Sequence, residues 1–206
     1  MPKGCLMNRT TFLIDGFNLY HSLKHANTDL RHLRKPDHTR WLDLRGLCRS
    51  YLHAIGNQAQ LEEIYYFSAL AEHLEARNPD VTQRHRTYIS CLEDTGIIVE
   101  LNRFKAKEIR CPSCKQTFVR HEEKETDVSI SVKLIEACVL NRCETAVLVT
   151  GDTDIAPAVR TIKRLCNEKK ICFLFPYRRH NRELELIADG CFDINLKKIQ
   201  KHQFSY

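Results

Sequence analysis

Short apolar runs alternate along the chain with longer stretches in which apolar residues recur every three or four positions. Continuous apolar runs predict strands covered on both faces, and the longer spacing predicts helices. The predicted strands are Thr11–Asp15, Ile64–Leu70, Ile97–Leu101, Thr145–Thr150 and Ile171–Phe175, with a last strand at Cys191–Asn195. The predicted helices are Asn18–His25, Leu42–Ala54, Pro79–Asp94, Thr126–Asn141, Asp154–Glu168 and Asn181–Ala188. This alternation predicts an α/β fold with a central, mainly parallel sheet.

Two polar segments interrupt the alternation. The first, Arg31–Arg40, is basic and predicts a loop. The second, Asn102–Glu125, is polar and contains a CxxC motif. Since no internal repeat or low-complexity tract divides the rest of the chain, we expect a single domain over residues 1–206 with a small insertion at about residues 102–125.

Composition narrows the class of protein. Hydrophobic residues make up 43% and charged residues 28% of 206 residues, which excludes a disordered chain, a coiled coil and a collagen-like repeat. No apolar run approaches the roughly 20 residues of a membrane span, so we expect no membrane association. Ten cysteines without an apolar leader predict reduced thiols and a cytoplasmic location. The net charge of +6 permits a nucleic-acid partner without requiring one.

Aspartates stand where predicted strands end or helices begin. Asp15 ends the first strand, Asp152 and Asp154 follow Thr145–Thr150, and Asp127 opens a long helix. In open α/β sheets the ligand site lies beyond the carboxyl ends of the strands, so these four carboxylates are expected to converge. Converged carboxylates require a cation, and their hard oxygen atoms suit Mg²⁺ or Mn²⁺. Taken singly, each aspartate is also an ordinary turn or helix-cap residue.

Three segments resemble the motifs of a known family. Phe12–Tyr20, Lys124–Val128 and Val149–Pro157 are similar, in order and spacing, to the three motifs of the NYN domain family, a LabA-like branch of the PIN-like nucleases. The resemblance extends over nearly the whole chain. It implies a PIN-like three-layer fold and metal-dependent hydrolysis of RNA phosphodiester bonds, as in an endoribonuclease.

The resemblance also implies roles for particular residues. The metal ligands and catalytic carboxylates carried over from the family are Asp15, Asp127, Asp152 and Asp154. Asn18 matches the asparagine of the first motif and would position water, a phosphate oxygen or the Asp15 carboxylate. Asn18 is equally suited to cap the first helix. Thr150 and Thr153 would orient ligands through their hydroxyl groups, or satisfy the local turn.

The CxxC motif suggests a second metal. Cys111 and Cys114 can supply two thiolates to a structural Zn²⁺, which needs two further ligands. His121, Glu122 and Glu123 follow closely, and a second copy of the chain is another source of ligands. A redox role is less favoured, because the motif does not open a helix after a strand. The other cysteines are most simply small core residues.

Basic residues flank the predicted acidic site. The candidate RNA-binding residues are Arg103, Lys105, Lys107, Arg110, Lys124, Arg178 and Arg179. They would contact phosphates, with Phe104 or Tyr177 available to stack on bases. For any one stretch, a solvated charged surface is the simpler interpretation.

Three functions compete. The leading hypothesis is a ribonuclease that uses Mg²⁺ or Mn²⁺, with RNA as its partner and a homodimer or a protein partner as a further option. The alternative is a non-catalytic RNA-binding or scaffold module of the same fold. A phosphohydrolase of the haloacid dehalogenase type is disfavoured, because it needs a second aspartate two residues after Asp15, where Phe17 stands.

Overall fold

The computed structural model describes residues 7–36, 39–75 and 78–204, although the side chains of residues 79, 120, 122 and 123 lie outside that description. Residues 37 and 38 of the predicted basic loop, and residues 1–6 of the predicted domain, also lie outside it. The strands are β1 (Asn8–Asp15), β2 (Ala59–Ala69), β3 (Ile98–Arg110), β4 (Thr117–Lys124), β5 (Thr145–Val149), β6 (Lys170–Phe175) and β7 (Gly190–Asp193). Every predicted strand is present, and β4 is an addition.

The helices largely follow the predicted spacing. They are α1 (Gly16–His32), α2 (Leu44–Arg49), α3 (Leu52–Ile55), α4 (Pro79–Asp94), α5 (Thr126–Val139), α6 (Ala156–Leu165), α7 (Arg182–Ile187) and α8 (Leu196–Lys201). Short 3₁₀ turns cover Glu72–Leu74 and Thr153–Ile155. The sequence pattern did not reveal α8. Among the described residues, none of these helices has the length and apolar character needed to cross a membrane.

The helix predicted over Leu42–Ala54 is wrong, because the chain breaks it at Ser50 and Tyr51 into α2 and α3. The hydroxyl of Ser50 donates to the carbonyl of Leu47 at 2.8 Å, and this local bond competes with a continuing helix. The Tyr51 ring is buried, and its hydroxyl donates to the carbonyl of Asp193 at 2.8 Å. Tertiary packing therefore overrides the helical period.

The strands form one seven-stranded sheet in the order β4-β3-β2-β1-β5-β6-β7. All neighbouring pairs are parallel except β3 and β4. The chain builds outward from β1 in one direction through β2 and β3, and then returns to place β5 on the other side of β1. This reversal creates a topological switch point between β1 and β5, the usual place for a ligand site.

Helices cover both faces of the sheet, so the fold has three layers. On one face, Phe12 and Ile14 of β1 pack with Leu19 of α1 and Leu47 of α2. On the other face, Leu13 packs with residues of the opposite helical layer. That layer includes Ile130 and Leu134 of α5, Val159 and Ile162 of α6, and Leu184 of α7. The predicted α/β class, with a mainly parallel central sheet, is confirmed.

The insertion predicted at residues 102–125 is an extension of the sheet. β3 pairs with β2 through Asn102 and then continues to Arg110, where the chain turns back as β4. Because the hairpin forms the sheet edge, many of its residues are exposed and charged. These charges masked the strands in the apolar pattern, since the sequence analysis identified strands by continuous apolar runs.

Candidate active site

The first and third motifs leave the sheet side by side. Ile14 of β1 pairs with Val149 of β5 in parallel register, so Asp15 and the loop beginning at Thr150 emerge at the same carboxyl edge. Both segments are thus held by two central, buried strands rather than by a surface loop. The topological switch point and the predicted acidic site therefore coincide.

Asp15 is the most enclosed of the four aspartates. Its side chain is 5% exposed, and burial raises the pKa of its carboxyl group, with the nearby charge of Asp152 adding to the effect. Both carboxylate oxygens accept hydrogen bonds, Oδ1 from the backbone N–H of Asn18 and Oδ2 from the hydroxyl of Thr150, each at 2.9 Å. Asp15 is therefore the N-cap of α1, and its hydrogen bonds hold its carboxylate in one orientation in the site.

Asn18 joins the two motifs. Its Oδ1 accepts a hydrogen bond from the backbone N–H of Gly151 at 3.2 Å. The helix cap belongs to Asp15, so the capping role considered for Asn18 is not the one it has here. The side chain instead fixes the distance between the start of α1 and the loop that carries Asp152.

Two glycines allow the backbone segments around the site to lie close together. A Cβ on Gly16 would lie 2.6 Å from the carbonyl oxygen of Phe67, and a Cβ on Gly151 would overlap the carbonyl oxygen of Arg179. Both contacts involve backbone atoms, which cannot rotate away. Glycine is therefore required at both positions for steric reasons.

Asp127 and Asp152 complete the acidic wall. Asp127 lies in the first turn of α5, and Asp152 accepts a hydrogen bond from the backbone N–H of Asp154 at 3.1 Å. Burial, followed by the charges of Asp15, Asp152 and Asp154, raises the pKa of Asp127 to about 6. The free energy of the ionised carboxylates is thus unfavourable unless a cation lies among them.

Asp154 stands apart from the other three. Its side chain is exposed on the 3₁₀ turn, and it is not among the residues that line the cleft, although its charge reaches Asp127. The structure therefore brings Asp15, Asp127, Asp152 and Asn18 together and leaves Asp154 at the rim.

The acidic cleft has a volume of ≈ 270 Å³. Its lining residues are Asp15, Phe17, Asn18, His21, Glu125, Thr126, Asp127, Asp152 and Arg179. Arg179 brings a positive charge to this acidic cleft, close enough to act on His21. Burial, followed by the charge of Arg179, lowers the pKa of His21, which favours its neutral form.

Some of these residues were not anticipated. His21 lies one helical turn after Asn18, which puts both on the same face of α1. That spacing was the available signal for His21. Phe17 and Thr126 adjoin motif residues but carry no charge to draw attention, and Glu125 adopts a left-handed backbone conformation with φ +80°.

The cleft fits a hydrated divalent cation. Among the residues that the structure describes, no three carboxylate, imidazole or thiolate groups form a ready-made ligand set. Mg²⁺ usually retains several waters and takes one or two carboxylates together with substrate phosphates. Asp127 and Asp152 are suitable donors for such an ion, because both face the open cleft, whereas the oxygens of Asp15 already accept protein hydrogen bonds.

The basic residues on the hairpin partly neutralise one acidic neighbour. Glu125 lies 2.8 Å from Arg103 and 3.7 Å from Lys105, and these contacts lower the pKa of its carboxyl group. Lys107 follows at the same two-residue spacing, and Lys124 lies opposite Arg103 in the β3–β4 register. One face of the hairpin near the cleft therefore carries four basic residues, Arg103, Lys105, Lys107 and Lys124.

The remaining basic candidates are dispersed. The Nε of Arg110 donates to the carbonyl of Lys115 at 3.3 Å, near the hairpin turn. Arg178 forms an ion pair with Asp29 of α1 at 3.1 Å, and the hydroxyl of Tyr177 donates to the same carboxylate at 2.9 Å. Among residues 176–204, which the structure describes, only Arg179 lines the acidic cleft.

Cys111 and Cys114 lie at the turn of the β3–β4 hairpin. The turn is closed by a hydrogen bond from the N–H of Lys115 to the carbonyl of Cys111 at 2.9 Å. Hydrogen bonds from Cys114 and from the N–H of Ser113 lower the pKa of the Cys111 thiol, which favours a thiolate. His121 pairs with Ala106, four positions before Arg110 and about 14 Å along the strand, so it is remote from this pair. The side chains of Glu122 and Glu123 lie outside the described residues.

This chain is similar to known proteins in both structure and sequence. A solved protein of unknown function, VPA0982 from Vibrio parahaemolyticus RIMD 2210633, is similar with a TM-score of 0.59 and 18% identity, over 94% of this chain and 96% of that chain. A curated relative, 6-hydroxy-3-succinoylpyridine 3-monooxygenase HspA from Pseudomonas putida (strain DSM 28022 / S16), is 28% identical over 202 residues. That match includes 84% of this chain and 61% of the length of HspA. The NYN domain model matches residues 9–195, and the chain therefore belongs to the NYN domain family.

Proposed function

We propose that this chain is a metal-dependent ribonuclease that hydrolyses RNA phosphodiester bonds in the acidic cleft. The NYN family is generally a ribonuclease family, which supports a nuclease-like, RNA-related function. The finer proposal depends on one observation in particular. Asp15, Asp127 and Asp152, from three separate segments, line one cleft at the topological switch point.

Each residue of the cleft has a distinct task in this proposal. When bound, Mg²⁺ or Mn²⁺ would polarise the phosphoryl oxygen and activate the attacking water. Asp127 and Asp152 hold the ion, with Asp154 adding negative charge from the rim. Asp15 keeps its orientation through Thr150 and the backbone of Asn18, and so preserves the geometry of the acidic wall.

The positive charge in the wall suits a polyanionic substrate. Arg179 would contact a non-bridging phosphate oxygen, since the residue lines the cleft and its charge acts on His21 there. The face formed by Arg103, Lys105, Lys107 and Lys124 would guide the backbone of the RNA towards Asp127. Because these contacts are with phosphates, they predict affinity that falls with salt concentration.

The other functional hypotheses receive less support. A non-catalytic RNA-binding module does not need three carboxylates around a cleft, which repel the backbone that such a module binds. The monooxygenase activity named for HspA concerns a pyridine compound, and the chain spans less than two thirds of that relative. A polar, acidic cleft favours a cation and a phosphate over such a ring.

Cleavage of labelled single-stranded RNA tests the proposal. Wild-type protein should cut with Mn²⁺ or Mg²⁺ and stop when chelator is added. Asp152→Asn should reduce the rate by at least about 100-fold, a loss typical of removing one main electrostatic contributor. Asp94→Asn is a matched control, because Asp94 is exposed at the end of α4, away from the cleft.

Each outcome has a clear meaning. Equal cutting by Asp152→Asn and wild type would place the activity elsewhere and refute the proposal. A wild-type protein that binds RNA without cutting it would support the non-catalytic module instead.

A further inference from the structure

A second cavity lies beside the acidic cleft, under the β3–β4 hairpin. Its volume is ≈ 470 Å³, within the range of small-molecule sites. Its lining residues, which define the ring pocket, are Leu70, Glu72, His73, Leu101, Asn102, Arg103, Phe104, Ala106 and His121. None of the three sequence motifs contributes a residue to this pocket.

Four rings form a continuous row between the two cavities. His73 and His121 stack with ring centroids 4.1 Å apart and an interplanar angle of 9°. Phe104 lies 4.7 Å from His73 and 5.5 Å from Phe17, and Phe17 lines the acidic cleft. The row therefore leads from the carboxylates into the ring pocket.

The strand register explains why these rings meet. His121 of β4 lies directly opposite Ala106 of β3, and Phe104 is two residues before Ala106. Since alternate residues of a strand share a face, Phe104 and His121 project to the same side of the hairpin. Lys105 and Lys107, which alternate with these residues, project to the opposite side.

Polar bonds fix the wall between the cavities. The side-chain amide of Asn102 donates to the hydroxyl of Thr126 at 3.0 Å, and its carbonyl oxygen accepts from the hydroxyl of Ser129 at 3.1 Å. Asn102 lines the ring pocket, and Thr126 lines the acidic cleft next to Asp127. The two cavities are therefore neighbours with a shared, hydrogen-bonded wall, as suits a ligand that spans both.

The surface of the ring pocket suits a flat, neutral, polar ring. Burial and the adjacent His121 lower the pKa of His73, which favours a neutral imidazole. Nδ1 of His73 is buried without a hydrogen-bond partner in the part of the chain that the structure describes. Leu70, Leu101 and Ala106 are the aliphatic residues among those that line the pocket. A nucleobase offers both a face for stacking and polar atoms for His73.

We propose that the ring pocket is a nucleobase subsite, which binds an unpaired base of single-stranded RNA while the neighbouring phosphate lies in the acidic cleft. This inference rests on the proposed ribonuclease function and specifies its substrate. A base can enter only if it is unstacked and unpaired, so the site selects single strands over duplexes. Stacking tolerates all four bases, so little sequence preference follows.

Binding in chelator tests the subsite without cleavage. The probe is a fluorescently labelled 12-nucleotide RNA without secondary structure, measured by anisotropy against the same RNA annealed to its complement. Phe104→Leu retains an apolar contact with Phe17 but removes the ring, and should weaken single-strand binding by about 5-fold or more. His121→Leu should have an effect of similar size from the other end of the row.

Phe118→Leu is the matched control. Phe118 lies on the same hairpin, is 50% exposed and pairs with Ile109 near the turn, away from the ring pocket. Phe118→Leu should leave the affinity for single-stranded RNA within about twofold of wild type, because it removes no ring on which a base stacks. Circular dichroism of all three variants verifies that the fold is kept.

The outcomes separate the subsite from the catalytic proposal. Wild-type affinity in folded Phe104→Leu and His121→Leu would overturn the subsite, as would equal wild-type binding of single-stranded and duplex RNA. Wild-type protein that binds no RNA would overturn it too. Ring-dependent binding by a protein that fails to cut RNA with Mn²⁺ would support the subsite while refuting the ribonuclease.

Discussion

At the scale of single residues, the aspartates of the candidate site differ in burial and in hydrogen bonding. Asp15 is buried, with both oxygens accepting hydrogen bonds, while Asp127 is half-buried among like charges and Asp154 is exposed. The sequence placed three of them at the ends of predicted strands, which apolar runs reveal, and Asp127 at the start of a predicted helix. It could not rank them, because burial and partners depend on which segments meet in the fold.

Asp127→Asn should stabilise the protein measured in chelator at pH 7, by about 1 kcal/mol after allowance for solvent screening. The raised pKa of about 6 means that ionising Asp127 costs stability above that pH. The gain should therefore shrink as the pH falls from 6 to 3.8 and vanish below that, where the carboxyl group is protonated in the folded and the unfolded states. Urea unfolding at a series of pH values measures it.

A less stable Asp127→Asn at pH 7 would contradict this electrostatic account of the cleft. Asp94→Asn is the control for removing one surface charge and should change stability by less than about 0.5 kcal/mol.

Thr150→Val should destabilise the protein by about 1–3 kcal/mol, because it removes the hydroxyl that donates to Asp15 and leaves a buried acceptor unpaired. The same hydroxyl accepts the N–H of Asp152 at 3.1 Å, so RNA cleavage should fall as well. Thr150→Ser keeps the hydroxyl and is the matched control. Similar unfolding midpoints for the two variants would show that the hydrogen bond to Asp15 contributes little.

At the scale of elements, the site depends on how closely α1 approaches the sheet. Gly16→Ala would bring a methyl group to 2.6 Å from the carbonyl oxygen of Phe67, so the start of α1 must move. We expect a loss of stability of about 1–3 kcal/mol. Gly56→Ala is the matched control, since its added Cβ would meet its nearest neighbour at 3.7 Å. Thermal unfolding of both variants checks this, and equal midpoints would refute the close approach.

A separate prediction concerns zinc binding at the turn of the β3–β4 hairpin. We expect Cys111 and Cys114 to bind zinc as thiolates, with further ligands from outside the hairpin turn. Metal analysis of purified protein should find zinc in wild type and in Cys91→Ser, whose cysteine lies on α4. Cys111→Ser and Cys114→Ser should lose it. A wild-type protein without zinc, or a Cys111→Ser variant that retains it, would contradict a site at the turn.

At the scale of the whole molecule, the alternation of strands and helices was enough to predict the parallel sheet, because its central strands are continuous apolar runs. The hairpin and α8 could not be predicted in this way, since their residues are mostly polar and form no continuous apolar run. Asp15 and Asp152 could be predicted from the ends of those strands, and Asp127 from the start of a predicted helix. Phe104 was named as a residue that could stack on bases, but the ring pocket could not be predicted, because His73, Phe104 and His121 meet only in the folded chain.

The rate of RNA cleavage as a function of Mn²⁺ concentration tests the central claim most directly, when measured for wild type and Asp127→Asn on the same labelled single strand. The account predicts a rate that rises with Mn²⁺ and saturates for wild type. For Asp127→Asn it predicts at least about a tenfold loss of rate or of metal affinity, as expected when one ligand is removed. Cleavage that needs no metal, or two identical curves, would contradict it.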